Sequence, residues 1–251
     1  TGSTEVGRSL LREASDCIVD CSMELGGNAP FLIFDDADID EAVKGAMIAK
    51  MRNGGEACTA ANRFYAHELV YEEFTEKFSS AMAKMKVGPG LEPGVELGPM
   101  VNAWAIKDID RLVEDAKSKG SDVLTGGAPL DRTGHFYPPT VLGRVPEDAN
   151  ILREEVFGPV APVISFSDDD EVIQAANDTE YGLVSYLYTG NLERGMAVSE
   201  RLDAGMIGLN RGLVSDPAAP FGGTKQSGLG REGSHEGMME YMESKYIAVE
   251  W

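Results

Sequence analysis

The residue best suited to chemistry is a cysteine behind two glycines: Cys58 in Arg52-Asn53-Gly54-Gly55-Glu56-Ala57-Cys58-Thr59-Ala60-Ala61-Asn62-Arg63. A thiolate is a competent nucleophile and a thiol is not, so such a cysteine acts only where its proton can leave. A helix N-terminus at this place would favour the anion through its aligned peptide dipoles. Peptide N–H groups of the turn would then face an oxyanion formed by attack on a carbonyl. The local residues alone leave Cys58 open between a nucleophile and a structural thiol. A nucleophile needs a base, and none of His67, His135 and His235 sits in a distinctive turn. Glu24, in Met23-Glu24-Leu25-Gly26-Gly27-Asn28, is the better candidate. A carboxylate at the end of an apolar run is expensive to bury, and partial burial raises its pKa towards the range useful for activating water. The other reading is an exposed glutamate ahead of a loop.

Further along, Arg153-Glu154-Glu155-Val156-Phe157-Gly158-Pro159-Val160 sets carboxylates before a Phe-Gly-Pro turn, an arrangement suited to gripping ribose hydroxyls. Gly228-Leu229-Gly230-Arg231-Glu232-Gly233 matches G-x-G-x-x-G literally. No strand is expected before it, and too little chain follows to close a βαβ unit, so the match is rejected as a dinucleotide fingerprint. Cys17 and Cys21 lie in a β-like apolar stretch without further ligands at close spacing, and burial as small hydrophobes is expected of them. The histidines show no metal-binding spacing either, so no metal site is expected.

Across 251 residues, 22 Lys+Arg stand against 42 Asp+Glu, a formal charge of −20. That balance argues against a phosphate-backbone partner, and nucleic acid is not expected. The 43% hydrophobic content is ordinary for a globular chain, which excludes global disorder. No apolar run approaches the roughly 20 residues that cross a bilayer, so no membrane partner is expected. Three cysteines in a chain this long suggest a reducing, cytoplasmic setting. The opening, Thr1 to Arg8, shows no secretory signal and runs from a Gly-Ser-Thr turn straight into a helical pattern. It reads as a cut, with an N-terminal region expected to precede it.

The elements that must hold these residues alternate between strand and helix, as in an α/β domain. Strands are expected at Ala29–Phe34, Val123–Leu124, Tyr137–Val141, Val160–Phe166, Leu183–Tyr188 and Met206–Asn210. Helices are expected at Asp38–Lys50 (Asp38 as N-cap, Gly54-Gly55 as stop), Tyr71–Lys86, Ala103–Lys119, Asp168–Asn177, Leu192–Leu202 and Glu236–Ser244. Another helical turn is possible directly after Cys58. The chain finishes on an apolar stretch, Tyr246 to Trp251.

Together, Thr-Gly-Ser-Thr-Glu-Val-Gly-Arg, Glu-Leu-Gly-Gly-Asn, Gly-Gly-Glu-Ala-Cys, Glu-Val-Phe-Gly-Pro-Val and Pro-Phe-Gly-Gly-Thr-Lys-Gln-Ser-Gly resemble, in order and spacing, the aldehyde dehydrogenase superfamily. The resemblance covers the whole chain and is closest to the members acting on succinate semialdehyde. It implies a catalytic domain with a parallel sheet and flanking helices over residues 27–235. Residues 1–26 would be a remnant of the dinucleotide-binding domain, and 236–251 a C-terminal helix and oligomerisation strand. It implies Cys58 as the nucleophile forming a thiohemiacetal and then a thioester, and Glu24 as the base that activates water. NAD or NADP would be held by Gly2 and Ser3 at the pyrophosphate, Gly26 beside the nicotinamide, and Glu155 and Phe157 at its ribose and ring. Arg52 and Ser215 match the contacts for the carboxylate of a small aldehyde, and a guanidinium offers paired donors to it. A surface ion pair is the other reading of Arg52. The resemblance further implies a homo-oligomer. One departure is Glu56, where the family usually has Gln; its charge is expected to raise the Cys58 pKa. A neutral or amino aldehyde as substrate, and a folded module that only mediates assembly, are the alternatives.

Overall fold

The computed structural model describes residues 1–251. The chain runs α1 (Thr4–Ser15), β1 (Met23–Glu24), β2 (Ala29–Ile33), α2 (Ile39–Met51), a 3-10 turn (Arg52–Gly55), β3 (Ala61–His67), α3 (Tyr71–Ala83), α4 (Ala103–Ser118), β4 (Asp122–Thr125) and β5 (Thr140–Gly143). A second 3-10 turn (Asn150–Leu152) leads to β6 (Val160–Phe166), α5 (Asp169–Asn177), β7 (Tyr181–Gly182) and β8 (Val184–Tyr188). Then come α6 (Leu192–Arg201), β9 (Met206–Leu209), β10 (Thr224–Lys225), β11 (Gly228–Leu229) and α7 (Ser234–Met239).

Seven strands form one sheet in the order β4-β5-β6-β3-β2-β8-β9. All neighbours are parallel except β4 and β5. Successive residues of a strand face opposite sides, and β2 shows the consequence. Phe31 and Ile33 join the core that α2 and α3 cover, with Phe64, Phe74 and Phe78. Leu32 and Phe34 face the other side, where Val172 and Ile173 of α5 and Val198 of α6 close over them. Such a doubly covered parallel strand is apolar throughout. A third cluster packs Leu112 and Val113 of α4 against Leu142 of β5. The expected α/β architecture with a parallel sheet and flanking helices is what the chain adopts.

Several boundaries differ from expectation. The chain after Cys58 is not a helical turn but leads into β3, a central strand of the sheet. The strand expected at Tyr137–Val141 pairs only from Thr140. The C-terminal helix is a short Ser234–Met239 rather than Glu236–Ser244. Residues 246–251 pair with no strand of this chain and are exposed. Two small antiparallel ribbons, β1 with β11 and β7 with β10, sit outside the main sheet. No helix is long and apolar enough to cross a membrane.

Candidate active site

α2 starts where Asp38 Oδ1 accepts from the Glu41 N–H at 3.1 Å. It stops at Met51 because the next residues turn left-handed, Asn53 at φ 53° and Gly54 at φ 65°. Gly55, at φ 79°, also packs against the Gly158 carbonyl, where a Cβ would collide. Cys58 therefore lies in a turn between a 3-10 segment and β3, not at a helix N-terminus. The expected dipole effect is absent. Burial, then the charge and hydrogen bonding of Glu24, push its pKa up to about 12. The thiol is protonated at neutral pH.

Glu24 sits on β1 opposite Gly228 of β11, and it is only 7% exposed. Gly228 permits that pairing, since a Cβ there would strike the Met23 carbonyl. The literal G-x-G-x-x-G thus begins in an antiparallel ribbon and belongs to no βαβ unit. Burial holds the Glu24 pKa above its ordinary value, and the charge of Glu232 adds to the rise. The Cys58 thiol faces this carboxylate closely enough for each to shift the other's protonation. Oε1 of Glu24 is nonetheless buried without a hydrogen-bond partner, so one carboxylate oxygen is unspent.

The segment after Glu24 is pinned from two sides. Ser227 Oγ donates to the Gly26 carbonyl at 2.7 Å and accepts from the Gly182 N–H at 2.9 Å. From the other side Glu155 Oε1 accepts from the Gly27 N–H at 2.9 Å. A Cβ on Gly26 would come within 2.8 Å of Glu155 Oε2, and one on Gly27 would strike the Cys58 carbonyl. Burial raises the Glu155 pKa. Phe157, two residues on, is 46% exposed. At the chain's start the Gly2 N–H donates to the Glu24 carbonyl at 3.1 Å, and Ser3 Oγ caps α1 by accepting from the Val6 N–H. The N-terminus of α1, Gly26, Glu155, Glu24 and Cys58 thus share one neighbourhood. A helix N-terminus for phosphate and a partly buried carboxylate two residues from an exposed ring fit a nicotinamide dinucleotide.

Arg52 is exposed and has no carboxylate within ion-pair distance, in a chain where acidic residues outnumber basic ones. Its Nη2 donates to Thr59 Oγ1 at 3.0 Å, and the Thr59 carbonyl accepts from the Tyr186 hydroxyl at 2.9 Å. The ion-pair reading of Arg52 fails. Ser215 lies exposed in the loop after β9, and no hydrogen bond joins it to Arg52. Glu56 Oε1 accepts from the Val101 N–H at 3.4 Å, and Glu56 is not among the groups that raise Cys58. The charges responsible are Glu24 and Glu155. Cys17 is exposed and Cys21 half-buried, both outside any strand, contrary to the buried β-like reading. No group of three His, Cys, Asp or Glu is placed to hold a metal ion. Sequence reading missed Lys50, Asn62 and Glu232. A lysine amid Ile48-Ala49-Lys50-Met51 was the one available signal.

The family model described as the aldehyde dehydrogenase family matches residues 1–247. A succinate-semialdehyde dehydrogenase of Paenarthrobacter nicotinovorans is 53% identical over 249 residues, covering 99% of this chain and 55% of its own. A glutarate-semialdehyde dehydrogenase of Pseudomonas putida is 50% identical over 249 residues, covering 99% of this chain and 52% of its own. The solved structure of an aldehyde dehydrogenase from Brucella melitensis biovar abortus superposes with a TM-score of 0.96 at 52% identity, over 98% of this chain and 50% of that one. The chain spans about half the length of the relatives it matches.

Proposed function

The chain belongs to the aldehyde dehydrogenase family, and on that premise we propose that its site oxidises succinate semialdehyde to succinate with NAD+ or NADP+. The observation that carries the reading is one turn bearing both the Cys58 thiol, opposite the buried Glu24, and a guanidinium that no carboxylate neutralises. Arg52 offers paired donors to the far carboxylate of the aldehyde, and Ser215, exposed in the loop after β9, is the second contact. The printed names of the two relatives agree with an ω-carboxylated substrate.

Cys58 Sγ attacks the aldehyde carbon, and its proton ends on the former carbonyl oxygen, giving a thiohemiacetal. The nicotinamide, when bound, supplies the hydride acceptor. Loss of the hydride and the hydroxyl proton leaves a thioester on Cys58. Glu24 then takes a proton from a water whose oxygen adds to the thioester carbon. The C–S bond breaks, the acid leaves, and the proton held by Glu24 returns to the Cys58 thiolate. The raised pKa of Glu24 makes it a stronger base than an ordinary carboxylate. Gly26, whose missing side chain lets Glu155 approach, would lie beside the nicotinamide, Glu155 and Phe157 would hold ribose and ring, and Gly2 and Ser3 would meet the pyrophosphate.

On this reading residues 1–26 belong with a dinucleotide-binding domain, 27–235 form the catalytic domain, and 236–251 form an assembly edge in a homo-oligomer. The exposed Tyr246, Ile247 and Trp251 support that edge, and three free cysteines suit the cytoplasm. The test is nicotinamide reduction by the full-length protein with succinate semialdehyde. Cys58→Ala abolishes it; an unchanged rate would overturn the assignment. A full-length protein that assembles but neither reduces nor binds the cofactor would favour the assembly module.

A further inference from the structure

Lys50, in the last turn of α2, is wholly buried at 0% exposure. Its Nζ donates to Asn62 Oδ1 at 2.8 Å and reaches the Val156 carbonyl at 3.4 Å. No carboxylate pairs with it directly, and Glu155 acts on it only through space. A buried amine is costly unless its donors are used. A methionine would fill the same volume without that cost, so the amine serves the groups it bonds. We propose that Lys50 is a positioning residue for the cofactor: its amine ties the segment bearing Glu155 and Phe157 to the Cys58 turn. The inference rests on the cofactor reading of that segment given above.

Three pieces of chain meet at the one nitrogen. Lys50 sits two residues before Arg52, where the turn carrying Cys58 begins. Asn62 lies on β3, which receives the chain after that turn. Val156 stands between Glu155 and Phe157. The packing agrees, because Gly55 abuts the Gly158 carbonyl so tightly that no side chain fits between them. Glu155 in turn bonds the Gly27 N–H, so its carboxylate keeps its place beside Gly26 only while residues 155–158 stay seated on the turn. Burial pulls the Lys50 pKa down to about 7, and the nearby charge of Glu155 opposes that fall. When protonated, the amine in turn lowers the Glu155 pKa, after the larger effect of the Gly27 N–H.

The experiment measures calorimetric binding of NAD+ and NADP+ to the full-length protein, alongside the iodoacetamide alkylation rate of Cys58 and the melting temperature. Lys50→Met is expected to weaken cofactor binding by about tenfold, as for a lost charged hydrogen bond, while Cys58 alkylation changes less than about twofold. The double variant Lys50→Met/Asn62→Leu removes both partners. It is expected to regain melting temperature, because no buried acceptor on Asn62 is left unpaired, without regaining affinity. Unchanged affinity in Lys50→Met would overturn the proposal. So would affinity that returns with stability in the double variant, which would make Lys50 a purely structural residue. A wild-type protein that binds neither nucleotide would instead overturn the cofactor reading, and this inference with it.

Discussion

Replacing Glu24 by Gln should have opposite effects on the resting thiol and on turnover. The Cys58 pKa rises from 9.0 to about 12, with burial the largest cause and the Glu24 charge the second. Glu24→Gln removes that charge while burial, the largest cause, stays in place. A drop of about one pKa unit in the thiol corresponds to about 1.4 kcal/mol, or about a tenfold larger thiolate fraction at a fixed pH. A less basic thiolate is also a weaker nucleophile, with a sensitivity of about 0.4–0.5 per unit, so the net gain in alkylation is about three- to fourfold. Turnover moves the other way, because losing a general base costs about 10²–10⁴ in rate. The assay is alkylation of Cys58 by iodoacetamide at pH 8, resolved by mass spectrometry, with Cys17 and Cys21 as internal references. Slower alkylation in Glu24→Gln would refute the reasoning. Glu24 would then be withdrawing the thiol proton rather than penalising the thiolate.

Other expectations can be checked on the same protein. Glu56→Gln should leave the Cys58 alkylation rate within about twofold, since its carboxylate is turned to the Val101 N–H and does not act on the thiol; a rise as large as that of Glu24→Gln would contradict this. Ser227→Ala leaves the buried Gly26 carbonyl and Gly182 N–H without a partner, which costs about 2–4 kcal/mol. Denaturant unfolding that shows less than about 1 kcal/mol of loss would mean the segment relaxes elsewhere. In wild type, Cys58 alkylation should keep rising about tenfold per pH unit through pH 10 without levelling, because its thiolate forms only near pH 12. A plateau by pH 9 would contradict the burial of the thiol.

Most of the sheet was legible where one physical signal dominated. Val160–Phe166 and Asp38-capped α2 follow directly from apolar runs and a side-chain cap. β3 was not legible, although it is central. Asn62 and Arg63 break the apolar run that marks a doubly covered strand. They are tolerated because their polar atoms are used by distant segments. Arg63 donates to the carbonyls of Asn28, Ala175 and Ala176, and Asn62 accepts from Lys50. Such compensation is set by tertiary contact and has no local signature. The site shows the same division. Cys58 and Glu24 stand out by their glycine-flanked turns, and the family resemblance pairs them. Neither route shows that the thiol is held near pKa 12, because that follows from which groups surround it. Expecting a helix dipole at Cys58 failed because three successive left-handed residues end α2 before the cysteine and a strand follows it. The C-terminal stretch is apolar by composition and a strand only by the family resemblance, and a strand needs a partner that this chain does not offer.

The claim that Cys58 works on a carboxylated aldehyde held by Arg52 is tested most directly by substrate discrimination. The measurement is kcat/KM for succinate semialdehyde relative to butanal, in the full-length protein and in Arg52→Ala. A guanidinium–carboxylate contact contributes about 1.5–3 kcal/mol, so the ratio should fall by about 10- to 150-fold, mostly through KM for the semialdehyde. An unchanged ratio would contradict the account, since the Arg52 guanidinium, bonded to Thr59 and free of any carboxylate, would then have no part in choosing the substrate.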